Sequence, residues 1–473
     1  MSSNCRFYAN VVAMHKGVTG SCNLVIVSFP NGQKLRFIVD CGLFQENEYE
    51  ELNSKLPFDP KEIDFALLTH VHVDHVGRFP YMVKQGYENP IYATDSTCKI
   101  AKNALYDSVK VLSQMARRRN KASLYSLEDV DKTLSLMVPT DYQEFVKVNE
   151  HVKVMFFMNG HVVGSSLILV QISYPVYEKI NILFTGDYNN KNMFFTVPEI
   201  PKWVKKLPLT IVQESTYGNM DSTDITTCFQ ENILRTLKKN GTVVVPVFSL
   251  GRAQEILYVL KKMQERGMLS KNIPIYLDGN LAINYTFMYR RGNLQEIPEK
   301  MRKSFLPENL TFVDAKNRAS VVNGFKPKII LTTSGMGSYG PAQTYIPEYI
   351  SRRNALIQFT GYTAEGTLGN ILKTTEKNRL VEVGGLIAIK QADVEYTTEF
   401  SAHAKADEMI AFLNQFENLK LVLINHGEPE TKRIFAERVV KQVKVNRVGL
   451  LGESYFFKID PYGLVKTVTA NYE

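Results

Sequence analysis

The stretch "THVHVDH", residues 69–75, sets His70, His72, Asp74 and His75 within six positions of a chain that has only eight histidines. Neutral imidazole and carboxylate together suit borderline divalent metals, zinc foremost. Three more histidines close hydrophobic segments: His161 after "VKVMFFMN", His403 in "FSAHAK" and His426 in "LINHGE". Asp40 in "VDCG" and Asp187 in "TGDY" end such segments too. Each buried polar group needs a partner, and one shared partner, a cation, explains the set better than many separate ones. Two metals need roughly seven or eight ligand atoms with room left for water, and this set reaches that number if one carboxylate bridges. The H-x-H spacing lets two side chains of one loop reach a single ion. Asp74 and His75, at the start of the next helix, can turn toward a second. Two metals about 3.5–4 Å apart suit in-line displacement at phosphorus.

The surrounding segments must bring these residues together. "NLVIVSF" (23–29) and "LRFIVD" (35–40) read as buried strands around the turn "PNGQ". "DFALLT" (64–69) is another strand and ends at the histidine cluster. Residues 97–138 read as mostly helical, with Ser126 capping "SLEDVDKTLSLM" and Glu128 close behind it. "VKVMFFMN" (152–159) and "NILFTGD" (181–187) are strands that run into His161 and Asp187. A new alternation starts at residue 209. The strand "LTIVQEST" is followed by a helix closed by Gly241, the strand "TVVVPVF" and a helix closed by Gly267. This β-α-β-α order implies a parallel sheet with helices on its faces, and it continues to about residue 389.

Composition narrows the classes. A chain of 473 residues predicts two or more domains. Its 44% hydrophobic and 22% charged residues are those of a globular protein. No apolar run reaches the roughly 18 residues a membrane span needs, and the start does not read as a signal peptide. Five scattered cysteines without a C-x-x-C pair argue against disulfides and against a cysteine-zinc site, and fit a reducing cytoplasm. The net charge of +8 permits a polyanionic partner. Arg117, Arg118, Arg119 and Lys121 form the sharpest basic run, which reads equally as a solvated helix end or as a phosphate contact.

Taken in order, the motifs resemble those of the β-CASP nucleases of the metallo-β-lactamase superfamily. "THVHVDHVGRFP" matches the superfamily signature, and "ESTYG" (214–218), "FSAH" (400–403) and "NHGE" (425–428) are similar to motifs A, B and C. "VTGSC" (18–22), "VFSLGRAQE" (247–255), "SGM" (334–336) and "GYTAEGTLG" (361–369) add to the likeness, which covers nearly the whole chain. Stand-alone prokaryotic relatives of the mRNA 3′-end cleavage endonuclease look most similar. The resemblance implies an α/β fold in which residues 1–208 and 390–473 form a metallo-β-lactamase αββα sandwich. Residues 209–389 would form an inserted parallel-sheet β-CASP domain, with the active site in the cleft between the two. It implies two zinc ions, with manganese as a substitute and no organic cofactor. His70, His72 and His161 would hold one metal and Asp74, His75 and His426 the other, with Asp187 bridging. Asp40 would orient the site, and His403, held by Glu214, would be the general acid. The bare chemistry agrees, since a ribose 3′-alkoxide leaves poorly without a proton and a carboxylate beside an imidazole keeps it charged.

Arg252, Ser334, Gly335 and Ser401 are the candidate substrate contacts. Arg252, opening a helix, suits a phosphate or a structural ion pair about equally. The Ser334–Gly335 loop suits a phosphate cradle or a tight turn. His15 and His151 match no motif. The expected activity is ribonuclease, mainly endonucleolytic, leaving 5′-phosphate and 3′-hydroxyl ends. A 5′-to-3′ exoribonuclease and a DNA nuclease of the same fold are the alternatives, and motif C with His426 favours RNA. RNA is the expected partner, no membrane is, and a homodimer is compatible with the sequence. "MHKGVTGSC" and "DGNLAINYT" depart from the family pattern and bear on substrate preference.

Overall fold

The computed structural model describes residues 7–469 apart from 46, 226, 325, 326, 362, 364, 365, 453 and 454, and omits the side chains of 47, 48, 118 and 469. The chain divides into two compact units. The first comprises Met1–Asn192, Thr196–Ser222 and His403–Glu473, and the second Met193–Phe195 and Thr223–Ala402.

The first unit holds two sheets. One has eight strands, with Tyr8–Ala13, Asn23–Ser28, Lys34–Val39, Phe65–Leu67, Ile91–Thr94 and Met137–Thr140 in sequential order and the C-terminal strands Tyr455–Asp460 and Gly463–Thr469 added beside the first. The other has seven, in the order Arg447–Leu450, Leu419–Ile424, Leu209–Gln213, Ile180–Phe184, Ser166–Ile172, Val152–Met158 and Phe145–Lys147. Successive side chains of a strand face opposite ways, which explains the apolar runs. Phe37 and Val39 join Phe156, Ile168, Val170 and Leu423 in the core between the sheets. Ile38 instead joins Phe79, Met82 and Leu105 under helices on one outer face. Leu167 and Leu169 pack with Met409, Leu413 and Phe435 on the other. The result is an αββα stack whose strands are buried on both faces, hence the near-continuous hydrophobicity of "NLVIVSF" and "SLILVQI".

The second unit is built on six parallel strands in the order Leu310–Val313, Ile275–Asp278, Lys328–Thr332, Thr242–Pro246, Ala355–Phe359 and Asp393–Tyr396. Helices such as Phe229–Lys238 and Arg252–Glu265 pack on one face and Ala342–Ile350 on the other. This is the parallel sheet that the β-α alternation predicts.

The boundaries differ from the expected 208/209 and 389/390. Leu209–Gln213 pairs in parallel with Ile180–Phe184 and with Leu419–Ile424, so it belongs to the sandwich. Asp393–Tyr396 is an edge strand of the second unit's sheet. The divisions therefore fall at 222/223 and 402/403, and residues 193–195 join the second unit, where Phe194 packs on Tyr289 and Phe305. A five-residue apolar strand reads alike in either sheet, and only its hydrogen-bonding neighbours assign it. Ser126 caps the helix Leu127–Leu136 as expected, but Asp129, not Glu128, completes the capping box. Among the described residues, no helix is long and apolar enough to cross a membrane.

Candidate metal centre

The parallel pairing of the first unit fixes where the polar residues meet. Phe184 lies opposite Val212, and Gln213 opposite Ile424. The residues just past these strands, Asp187, Glu214 and His426, therefore emerge together beyond the C-terminal ends of three neighbouring parallel strands of one sheet. In the other sheet Val39 lies opposite Leu67, which brings Asp40 level with Leu68, one residue before Thr69 and the histidine loop. His72 is the N-cap residue of the one-turn helix Val73–Val76, which carries Asp74 and His75. His161 follows the strand ending at Met158. Asp40 and His426 both hold positive φ, at 64° and 44°. Such backbone costs a non-glycine residue about 1–3 kcal/mol and persists where the surroundings over-determine it.

Two donor sets result. In the first, His72 Nδ1 lies 3.1 Å from His70 Nε2 and 3.0 Å from His161 Nε2, and Asp187 Oδ2 stands 3.6 Å from each of those Nε2 atoms. In the second, His75 Nε2 lies 3.2 Å from His426 Nε2 and 3.2 Å from Asp187 Oδ1, and Asp74 Oδ2 is 3.8 Å from both Nε2 atoms. Asp187 belongs to both sets, and in each the donor atoms lie within 4.8 Å of one another. Tetrahedral bonds of about 2.0–2.1 Å place neighbouring donors roughly 3.3–3.4 Å apart, close to these separations. Asp187 Oδ1 is buried and makes no well-directed hydrogen bond despite its histidine neighbours. Clustered imidazole nitrogens around a buried carboxylate oxygen that lacks a hydrogen-bond partner fit a divalent cation.

The electrostatics agree. Burial holds His70 and His72 below the ordinary histidine range, which leaves them neutral ligands at neutral pH. Burial alone would push Asp187 up, but His426, His75 and His403 hold it well below the usual carboxylate range. Burial pulls His75 down too, and Asp187 with Asp40 outweighs it. Asp40 Oδ2 accepts from His75 Nδ1 at 2.7 Å, so the carboxylate turns the other ring nitrogen, Nε2, toward the second set.

Beside the shared carboxylate stands His403. Its Nδ1 is 3.1 Å from each oxygen of Glu214, and its Nε2 is 3.9 Å from Asp187 Oδ2. Burial works against a charged ring, but Glu214 and Asp187 together raise its pKa. Glu214 is buried and accepts from the backbone N–H groups of Tyr188 at 2.6 Å and Thr216 at 3.2 Å. It both holds the histidine and caps the turn that follows it.

All seven expected metal ligands, with Asp40, Glu214 and His403, lie in the first unit, whereas Arg252, Ser334, Gly335 and Ser401 lie in the second. Arg252 is buried. Its Nε donates to Glu255 at 3.0 Å and its Nη1 to the carbonyl of Thr360, which is the ion-pair arrangement rather than an open phosphate site. Ser334 follows a cis peptide bond and accepts from Tyr339 N–H at 3.3 Å. A Cβ on Gly335 would come within 2.8 Å of the Phe248 ring, so glycine there allows a close approach. Ser401 donates its N–H to Thr398 at 3.2 Å. Within "GYTAEGTLG", Tyr362, Ala364 and Glu365 lie outside the described residues. Arg119 pairs with Glu50, Arg117 is exposed, and the Arg118 side chain is not described. His15 is buried, with Nδ1 accepting from Cys22 N–H at 3.2 Å and its ring 6.2 Å from that of His426. Sequence reasoning assigned no role to Thr69, Tyr188 or Thr216. Thr69 was in view at the head of the histidine motif, but nothing in its type marks it out from a strand residue.

Three families match the chain in order: a metallo-beta-lactamase superfamily domain over residues 27–196, a Beta-Casp domain over 253–372, and a Zn-dependent metallo-hydrolase RNA specificity domain over 388–448. Similar proteins include transcription termination factor FttA of Methanosarcina mazei, 28% identical over 433 residues that cover 87% of this chain and 66% of that protein. Ribonuclease TTHA0252 of Thermus thermophilus is 31% identical over 426 residues, 87% of this chain and 91% of that protein. An RNase J-like protein of Methanocaldococcus jannaschii is 29% identical over 421 residues, 87% and 92% of the two chains. The chain thus spans just under two thirds of the termination factor and nearly all of the other two.

Proposed function

Because this chain belongs to the β-CASP group of the metallo-β-lactamase superfamily, we propose that it is a two-metal ribonuclease that cuts RNA mainly at internal phosphodiesters, leaving 5′-phosphate and 3′-hydroxyl ends. The carrying observation is the pair of donor sets sharing Asp187, with the Glu214–His403 pair beside them. His70, His72, His161 and Asp187 would hold one ion, and Asp74, His75, His426 and Asp187 the other. Zinc or manganese held there would supply Lewis acidity, lowering the pKa of a water toward neutrality and offsetting charge on the phosphate oxygens.

The chain's own groups do the rest. Glu214, fixed by two backbone N–H groups, holds His403 by Nδ1 and leaves Nε2 facing the centre. The Nε2 proton passes to the ribose 3′-oxygen as its bond to phosphorus breaks, a contribution typically worth roughly 10²–10⁴-fold. Asp40 keeps the His75 ring oriented. The matched RNA specificity domain and the ribonuclease relative support RNA as the substrate.

Circular single-stranded RNA tests the mode, because a circle has no end and can be linearised only by internal cutting. Linear products with 5′-phosphates support the proposal. An intact circle, with rapid mononucleotide release from a 5′-monophosphorylated linear copy, reassigns the chain as an exoribonuclease. Faster cutting of DNA of the same sequence moves it to the DNA nucleases.

A further inference from the structure

Thr69 stands at the head of the histidine loop and is almost fully buried. Its hydroxyl touches polar groups from both donor sets. Oγ1 lies 2.8 Å from Asp40 Oδ2, 3.1 Å from His70 Nδ1 and 3.5 Å from His75 Nδ1, and its backbone N–H donates to Asp40 Oδ1 at 2.8 Å. The direction of these hydrogen bonds is forced. His70 and His75 both point Nε2 into the centre, so as neutral ligands both carry their proton on Nδ1. An ionised carboxylate only accepts, so Asp40 receives His75 Nδ1–H and the Thr69 hydroxyl proton. The oxygen of Thr69 is then the acceptor for His70 Nδ1–H. One chain, His70 to Thr69 to Asp40 and back to His75, therefore fixes the tautomer of one histidine in each set.

A third contact reaches the shared ligand. Gly186 precedes Asp187 at φ +53°, and a Cβ built there would fall 2.8 Å from the Cβ of Thr69. The threonine thus abuts the backbone that presents the shared carboxylate.

We infer that Thr69 is the positioning residue common to both metal sites, and that its hydroxyl sets the affinity of each. The inference rests on the two-metal reading above. Loss of an outer hydrogen-bond partner typically weakens a metal site by roughly 10–100-fold, so Thr69→Val should weaken both by that factor. Each site is read alone by placing Thr69→Val in a His426→Ala background, which leaves the first set, and in a His72→Ala background, which leaves the second. Zinc affinity is measured by competition with a chelator, without reference to activity. Weakening in both backgrounds supports the inference, and an unchanged affinity in either overturns it. Thr69→Ser keeps the hydroxyl and loses the methyl group. Wild-type affinity in Thr69→Ser supports the hydroxyl's role, whereas a loss equal to that of valine assigns the effect to packing and overturns it. A wild-type protein that never exceeds one equivalent of zinc would instead sink the two-metal reading itself.

Discussion

Asp187→Ala should strip both metal sites at once. Oδ2 of Asp187 lies 3.6 Å from His70 and from His161, and Oδ1 lies 3.2 Å from His75 and 3.4 Å from His426. The substitution removes one donor of four from each set. Losing a mere outer partner of a ligand costs up to about 100-fold in affinity, so a lost ligand costs at least that. Suppose free zinc is buffered at roughly ten times the wild-type dissociation constant. Each wild-type site is then about 0.9 occupied, and a site weakened about 100-fold is about 0.1 occupied. The wild type should hold about 1.8 equivalents, Asp187→Ala about 0.2, and His72→Ala or His426→Ala about 1.0 each. Equilibrium dialysis against a zinc buffer followed by elemental analysis reads these values, with circular dichroism confirming that each variant is folded. A folded Asp187→Ala protein that retains one full equivalent would refute a shared carboxylate.

Three other outcomes are expected. His403→Ala should keep wild-type zinc, lose roughly 10²–10⁴-fold in turnover on RNA, and recover on a diester with a nitrophenolate leaving group; metal loss equal to that of His72→Ala would remove the histidine's assigned role. Burial lowers Lys328 to about 8, although it donates to the carbonyls of Val321 and Gly324. Its charged form is disfavoured in the fold, so that penalty is full below pH 8 and fades as pH rises toward the unfolded value of about 10.4; urea midpoints of wild type relative to Lys328→Met should therefore rise between pH 8 and 10. Neutralising Arg117, Arg118 and Arg119 together should weaken RNA binding and flatten its salt dependence while leaving saturated turnover unchanged, as read from filter-binding titrations at several salt concentrations.

The clustering of the candidate donors was legible because their chemistry is local. His70, His72, Asp74 and His75 sit in one loop, and each remaining ligand directly follows an apolar run whose end a sequence can locate. The polar residues themselves, not the strands, identified the site. What stayed hidden depends on neighbours. Leu209–Gln213 has the composition of either sheet, and only its pairing with Leu419–Ile424 assigns it to the sandwich. Arg252 stood equally for phosphate and for an ion pair until Glu255 and the Thr360 carbonyl were seen to occupy its guanidinium. Glu255, three residues on, was visible in the sequence, but Thr360, 108 residues away, was not. Thr69 escaped notice for the same reason, since its value lies in touching Asp40, 29 residues earlier, and a hydroxyl does not advertise that contact.

The order of the ligands along the chain has a consequence for the cell that makes this protein. His75 and His426 stand side by side in the second donor set, yet 351 residues separate them. A ribosome adding about 5–20 residues per second needs roughly 20–70 s to pass from one to the other. His161 and Asp187 complete the first donor set within the first third of that interval, while His403 and His426 have still to emerge. A nuclease assembled from its amino-terminal part alone would be free to attack the message being read. Here His403 and His426 both follow the inserted unit, so the Glu214–His403 pair cannot form in the growing chain until residue 403 has been added, nor the second donor set until residue 426 has been added.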